Sequence, residues 1–112
     1  MKVLISGSKE FNNPQVFRRA MGVVLSDLAD SELTLVLAGA ANTSEIARQF
    51  VNLSEEPLRL RGKTIRYVHV APDAVDYDEI DTVVVCVLPS QKNTALGHTA
   101  ADHGVNVEVF RY

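Results

Sequence analysis

The chain has 112 residues, of which 46% are hydrophobic, and its formal net charge is −3. Its length allows one domain with a substantial core, and its charge disfavours a dedicated nucleic-acid-binding protein, which usually has an excess of Lys and Arg. The single cysteine, Cys86, excludes an internal disulfide and a cysteine-based zinc site. No apolar stretch approaches the length of a membrane span and no signal-peptide pattern precedes the first strand, so we expect a cytoplasmic protein without a membrane partner.

The first third of the chain predicts a strand and an amphipathic helix. Residues 2–6 (KVLIS) form an apolar strand that Gly7 ends. Asn13 is a helix-capping residue, and Pro14 follows at the first helical position, where a missing N–H costs nothing. Apolar side chains then recur at helical spacing, which predicts one buried face and a helix ending near residues 29–31. The residues of that face are Phe17, Ala20, Met21, Val24 and Leu28.

A second strand–helix unit follows at residues 33–45 (LTLVLAGAANTSE). The strand passes through small residues into a helix that begins near Asn42. Glu45 lies three residues further on, as in a capping box. Pro57 is expected to end this helix, because proline cannot donate the hydrogen bond of a helix interior.

The second half of the chain predicts three more strands. Residues 64–70 (TIRYVHV) form the third strand, although alternation in residues 58–61 leaves a hairpin possible there. Residues 72–81 form a short acidic connection that can hold one helical turn. Residues 82–88 (TVVVCVL) are continuously apolar, as in a central strand covered on both faces. Residues 93–103 then predict a helix of small residues, and residues 105–110 a last strand.

The alternation of strands and helices predicts an α/β fold with a doubly wound, mostly parallel five-stranded sheet in the order 3-2-1-4-5. In this order the first and fourth strands are neighbours, and the direction of winding reverses between them. Ligands of open α/β sheets bind outside the carboxyl ends of the strands at such a point. The turns after strands one, two and four should therefore meet at one edge.

These three turns contain the residues that we expect to bind an anion or a nucleotide. Glycine permits close approach of the backbone, hydroxyl and amide groups donate hydrogen bonds, and a helix N-terminus attracts phosphate. The first turn (residues 6–12) and the turn after strand four should lie nearer the centre of the site than the second turn. The candidate ligand-binding residues are Ser6, Gly7, Ser8, Lys9, Gly39, Ala40, Asn42, Thr43, Pro89, Ser90, Gln91, Asn93 and Thr94.

Charged residues elsewhere give weaker signals. His98 lies one turn into the last helix, and Asp102 four residues later could orient its ring, but no nucleophile accompanies them. Basic residues cluster in 59–66 and acidic residues in 73–81, which we interpret as solvated faces that could pair across a subunit contact. No spacing matches a zinc site, so we expect no metal and no cofactor.

The three turns also resemble those of a known family. The opening ISGSKEFNNPQVFRRAM resembles the GSR-x-F start of small YspA-type Rossmann proteins, which belong to the superfamily of LOG phosphoribohydrolases and DprA-like proteins. The segment VLAGAANTSEIARQF resembles that group's VVHGGARGADALA segment. The segment VLPSQKNTALGHTAADHGVNVEVF lies where relatives have a PGG-x-GT turn, a helix and a closing strand. The resemblance covers nearly the whole chain and implies a single Rossmann-like three-layer domain over residues 1–112.

Several positions depart from the family pattern. Lys9 replaces an arginine, and Ala40 and Asn42 replace glycines of the second turn. Ser90, Gln91 and Asn93 replace glycines of the third turn, where Thr94 matches. LOG-type enzymes have a glutamate three residues after that threonine, and Gly97 stands here, so the acid that assists glycosidic cleavage is missing.

Three functions remain open from the sequence. The first is a non-catalytic module that binds a nucleotide or a nucleotide derivative. The second is an enzyme that cleaves an N-glycosidic bond, akin to phosphoribohydrolases or deoxyribosyltransferases, with Glu45 or His98 as acid–base. The third is a degenerate fold that acts through protein contacts. We expect a homodimer, because small-residue helices leave the sheet thinly covered.

Overall fold

The computed structural model describes residues 1–26, 30–39 and 41–111, and only the backbone of residue 41. It has three α-helices and five strands in this part of the chain. The strands are β1 (Lys2–Gly7), β2 (Glu32–Leu37), β3 (Thr64–His69), β4 (Thr82–Val87) and β5 (Asn106–Arg111). The helices are α1 (Pro14–Ser26), α2 (Ala41–Leu60) and α3 (Ala95–Asp102), and two 3₁₀ turns cover Pro72–Ala74 and Tyr77–Glu79.

All strand pairs are parallel, and the order is β3-β2-β1-β4-β5, as predicted. Strand β4 lies between β1 and β5, and each of its six residues is buried, which confirms the prediction of a central strand. The winding reverses between β1 and β4. The carboxyl ends of these two strands are therefore the place where this fold leaves a crevice.

The two faces of the sheet are covered unequally. Helices α1 and α2 pack on one face, around Phe17, Met21 and Val51. The other face is covered by α3 and by the connection between β3 and β4, which contributes Val75 and Ile80. This connection is too short for a full helix, as expected from its length. Above β2 and β3 this face keeps a groove of about 200 Å³.

Helix α1 begins as the sequence predicts. The Asn13 side chain accepts hydrogen bonds from the N–H groups of Gln15 and Val16, both at 3.2 Å. Phe17, Ala20, Met21 and Val24 are buried, so the predicted apolar face is confirmed over the described residues. The predicted end of this helix and Leu28 lie outside them.

Helix α2 begins at Ala41, next to the predicted start, but its cap and its C-terminal end differ from the prediction. Asn42 lies inside its first turn and does not cap it. Pro57 does not end the helix, which continues to Leu60 because Leu58 is buried in the core. The carbonyl that loses its donor to the proline belongs to Leu53, a residue that is 67% exposed.

The end of α2 is formed by Gly62, whose φ of +74° favours glycine. The N–H groups of Gly62 and Lys63 donate to the carbonyls of Arg59 and Leu58 at 3.0 and 2.9 Å, a Schellman arrangement. Residues 58–60 therefore end the helix, and residue 61 is the first residue of the turn that follows. The alternative prediction of a hairpin is wrong.

The C-terminal helix is shorter than predicted. Helix α3 covers Ala95–Asp102, and the Thr94 hydroxyl caps it by accepting from the N–H of Gly97 at 3.1 Å. The described helices lack the combination of length and apolar character that a bilayer span needs.

Candidate functional site

The first turn is joined directly to the turn after β4. The hydroxyl oxygens of Ser6 and Thr94 lie 2.8 Å apart, and only 2% of Ser6 is exposed. The N–H of Ser8 donates to the carbonyl of Cys86 at 3.0 Å. These bonds bring together two turns that are more than eighty residues apart in the chain, as the predicted strand order requires.

The first turn also packs against the start of α2. A Cβ added to Gly7 would lie 2.8 and 2.9 Å from Cβ and Cγ2 of Thr43, and closer still to its Oγ1. Real Cβ atoms do not approach this closely, so only glycine fits there. At the rim, the Asn42 amide donates to the carbonyl of Lys9 over a long 3.5 Å. The first turn therefore lies between the other two.

Two buried hydroxyl groups at this junction have no hydrogen-bond partner among the described residues. They are the Oγ of Ser8 in the first turn and the Oγ1 of Thr43 in α2. Thr43 is 1% exposed. Leaving a buried polar group unpaired costs about 1–3 kcal/mol, so native proteins rarely keep such groups without a reason.

The turn after β4 is held by its own side chains and by the last strand. Gln91 Oε1 accepts from the N–H of Leu88 at 2.9 Å. Arg111, at the end of β5, donates to the carbonyls of Gln91 and Lys92 at 2.8 and 2.9 Å. Sequence reasoning missed Arg111, and only the position of β5 beside β4 could have indicated it.

Phe11 anchors the loop that follows the first turn. Its side chain is fully buried in the core, and its N–H donates to the carbonyl of Ser8 at 3.0 Å. The sequence predicts a polar loop here, because the neighbours of Phe11 are polar. A single aromatic residue in a polar segment is the signal that could have shown the anchor.

The predicted ligand-binding residues divide into a floor and a rim. Ser6 and Thr43 are buried at the floor, and Gly7, Ser8, Gln91, Asn93 and Thr94 are half-buried around it. The exposed rim holds Lys9, Gly39, Asn42, Pro89 and Ser90. Ala40 lies outside the described residues. The three turns thus meet as the topology predicts.

Glu45 is engaged by an arginine of its own helix. Both carboxylate oxygens lie 2.6 Å from Nη2 of Arg48. The hydrogen bond from Arg48 is the largest influence, and it lowers the pKa of the Glu45 carboxyl below its ordinary value. The group is ionised at neutral pH, which disfavours Glu45 as a proton donor. Among the described residues it makes no hydrogen bond with Asn42, so the predicted capping box is wrong.

His98 and Asp102 are both exposed on α3. In the described part of the chain, no hydrogen bond or ion pair joins their side chains. A ring that is neither buried nor oriented is poorly placed for proton transfer.

Cys86 is buried in β4, and desolvation raises the pKa of its thiol to about 12. It is therefore a small core residue rather than a nucleophile. Across residues 1–26, 30–39 and 41–111, no three His, Cys, Asp or Glu side chains converge as metal ligands would.

Comparison of the chain with models of protein families, with curated proteins and with solved structures finds no match. Function is therefore inferred from the geometry of the chain itself.

Proposed function

We propose that this protein is a small, non-catalytic module that binds a nucleotide or a nucleotide derivative at the carboxyl ends of β1, β2 and β4. The observation that carries the proposal is the pair of buried hydroxyls of Ser8 and Thr43, for which the described residues supply no hydrogen-bond partner. They come from two turns that pack against each other at Gly7 and Thr43, at the edge of the sheet where ligands of this topology bind. A ligand with several acceptor oxygens would satisfy both.

A phosphate group suits this junction best. The first turn of α2 supplies backbone N–H groups and the positive end of a 20-residue helix dipole. Gly7 lets the backbone approach a ligand closely, and exposed Lys9 adds a positive charge at the rim. The hydrogen bond from the Asn42 amide to the Lys9 carbonyl at the rim is long and therefore weakens most easily.

We propose a non-catalytic module because of the residues at two positions, Gly97 and Glu45. Gly97 is buried against Asn93 and Val85, so a longer side chain with a carboxylate has no room there. The Glu45 carboxylate is held by Arg48 in its ionised form. Neither position offers the proton donor that departure of a nucleobase requires.

A panel of nucleoside mono- and diphosphates and ADP-ribose tests the proposal by thermal unfolding. At a concentration one hundred times its Kd, a ligand stabilises the folded state by about 2.7 kcal/mol. For a chain of this size, that raises Tm by about 10 °C. We expect at least one nucleotide to do so. If no member of the panel raises Tm, the proposal fails.

We further propose that two copies of the chain associate through the groove above β2 and β3. Its floor is apolar, and Val68 is 39% exposed there. Arg66 bonds Thr34 at 3.1 Å in the groove, which Asp76 and the Lys2–Glu79 ion pair also line. In a two-fold dimer Arg66 of one copy would face Asp76 of the other.

Val68→Asp is expected to convert the dimer into a monomer without unfolding it, because Val68 is not part of the buried core. Sedimentation velocity at micromolar concentration measures the change. Leu60→Asp is the matched control, since Leu60 is 78% exposed on α2, away from this face. A wild-type chain that sediments as a monomer, or a Val68→Asp variant that stays dimeric, contradicts the proposal.

A further inference from the structure

A second depression lies beside the phosphate-binding junction, between the start of α2 and the end of β3. It measures about 400 Å³ and is lined by Gly39, Ser44, Glu45, Arg48 and His69. Small-molecule sites typically measure about 300–1,000 Å³. Gly39 follows β2 and belongs to the second of the three turns, so the depression lies beside the proposed ligand crevice.

The polar side of the depression is an exposed pair of opposite charges on α2. Arg48 Nη2 contacts both oxygens of Glu45 at 2.6 Å. The charges cancel, so the depression is not a second site for phosphate or for a metal ion. The remaining guanidinium N–H groups and carboxylate lone pairs still present hydrogen-bond donors and acceptors side by side.

The opposite side of the depression is aromatic. His69 is exposed, and its ring meets that of Tyr67 edge to face, with centroids 5.5 Å apart and planes at 82°. Tyr67 is half-buried and packs against the core, so it supports the imidazole from the side. Tyr67 also contributes, after Glu45, to raising the pKa of Arg48. Because His69 is exposed, its ring is accessible to a planar ligand.

We infer that this depression, which we call the base pocket, binds the nucleobase of the ligand, with His69 stacking on the ring and the Glu45–Arg48 pair meeting its polar edge. A planar ring with alternating donors and acceptors matches both walls. The inference rests on the proposed nucleotide-binding function, and it names the residues that would distinguish a nucleotide from a simple sugar phosphate.

The test compares the four nucleoside monophosphates AMP, GMP, CMP and UMP with ribose 5-phosphate by isothermal titration calorimetry. We expect at least one monophosphate to bind the wild-type chain more tightly than ribose 5-phosphate does. His69→Ala should weaken the binding of that monophosphate roughly tenfold, as loss of one stacking contact does. It should leave the affinity for ribose 5-phosphate unchanged. His69→Phe keeps a ring and should retain most of the affinity.

Arg48→Ala should also reduce the preference for the monophosphate. Its matched control is Arg59→Ala, because Arg59 forms the same kind of ion pair three residues apart on the same helix, with Glu56 at 2.5 Å. Arg59 lies near the other end of α2, so this variant should bind every probe as the wild type does.

The outcomes separate the two proposals. If ribose 5-phosphate and the monophosphates bind equally, or if His69→Ala weakens all of them to the same extent, the base pocket is wrong and the phosphate site stands. If none of the five probes binds, the base pocket is wrong, and the nucleotide-binding proposal is overturned only if the nucleoside diphosphates and ADP-ribose also fail to raise Tm.

Discussion

Replacing Gly7 with alanine is expected to destabilise the protein by about 1–3 kcal/mol, the usual cost of inserting a methyl group into a packed site. The new Cβ would lie 2.8 Å from Cβ of Thr43 and closer to its hydroxyl. Both partners are short side chains on regular elements, so neither can rotate away. The first turn and α2 would have to separate, and we expect nucleotide binding to be lost. Urea denaturation measures the first effect and calorimetry the second.

Two variants control this experiment. Gly22 is exposed within α1, and a Cβ there meets nothing within 4 Å. Gly22→Ala should therefore stabilise the protein by up to about 1 kcal/mol through helix propensity. Adding Thr43→Ala to Gly7→Ala removes Oγ1 and Cγ2 from the clash. The loss in the double variant should be smaller than the sum of the single losses. A Gly7→Ala variant as stable as the wild type, or strictly additive losses, would refute the close packing of the two turns.

Local chemistry predicted much of the fold. Asn13 caps N–H groups that lie within three residues of it, so the cap could be predicted from the local sequence. The continuously apolar run of β4 reflects burial on both faces of the sheet. Alternation of strands and helices then leaves few topologies, because crossovers are right-handed. The predicted strand order is confirmed, and it is what brings the three turns together.

The errors came from tertiary contacts that outweighed local preferences. Proline inside a helical pattern, such as Pro57, usually predicts the end of the helix. Here the burial of Leu58 and the turn at Gly62 favour a longer helix. Glu45 has the spacing of a capping box with Asn42, but the helix already begins at Ala41, and the Glu45 carboxylate pairs with Arg48 one turn later. The burial of the Phe11 side chain was not predicted, because its neighbours in the sequence are polar. None of these outcomes follows from spacing alone.

The base pocket could not be predicted from the sequence. Arg48 belongs to the second turn of α2, and His69 ends β3, so no motif spans them. Their proximity depends on the length of α2 and on the register of β3 beside β2, in which His69 pairs with Leu37. A register shifted by one residue would turn His69 to the other face of the sheet.

Thr43→Val is the second variant for which we expect a large effect, and its effects on stability and on binding should differ. Valine keeps the branched shape that packs on Gly7 and removes only the unpartnered hydroxyl. The ligand-free protein should be as stable as the wild type or more stable, by up to about 3 kcal/mol, because an unpaired buried group is removed. Binding should weaken at least tenfold, since hydrogen bonds to charged groups contribute about 1.5–3 kcal/mol.

The control is Thr99→Val on α3, where the hydroxyl already donates to the Ala95 carbonyl at 3.0 Å and faces solvent. This variant removes the same group from an exposed position outside the three turns. Its affinity for nucleotide should equal that of the wild type.

Calorimetric titration of the wild type, Thr43→Val and Thr99→Val with the nucleotide that raises Tm most is the most direct test of the binding site. We predict at least tenfold weaker binding for Thr43→Val alone, together with an unfolding free energy no lower than that of the wild type. Wild-type affinity in Thr43→Val, or a loss of stability with no change in binding, would show that the buried hydroxyl is structural and that the ligand does not bind at this junction.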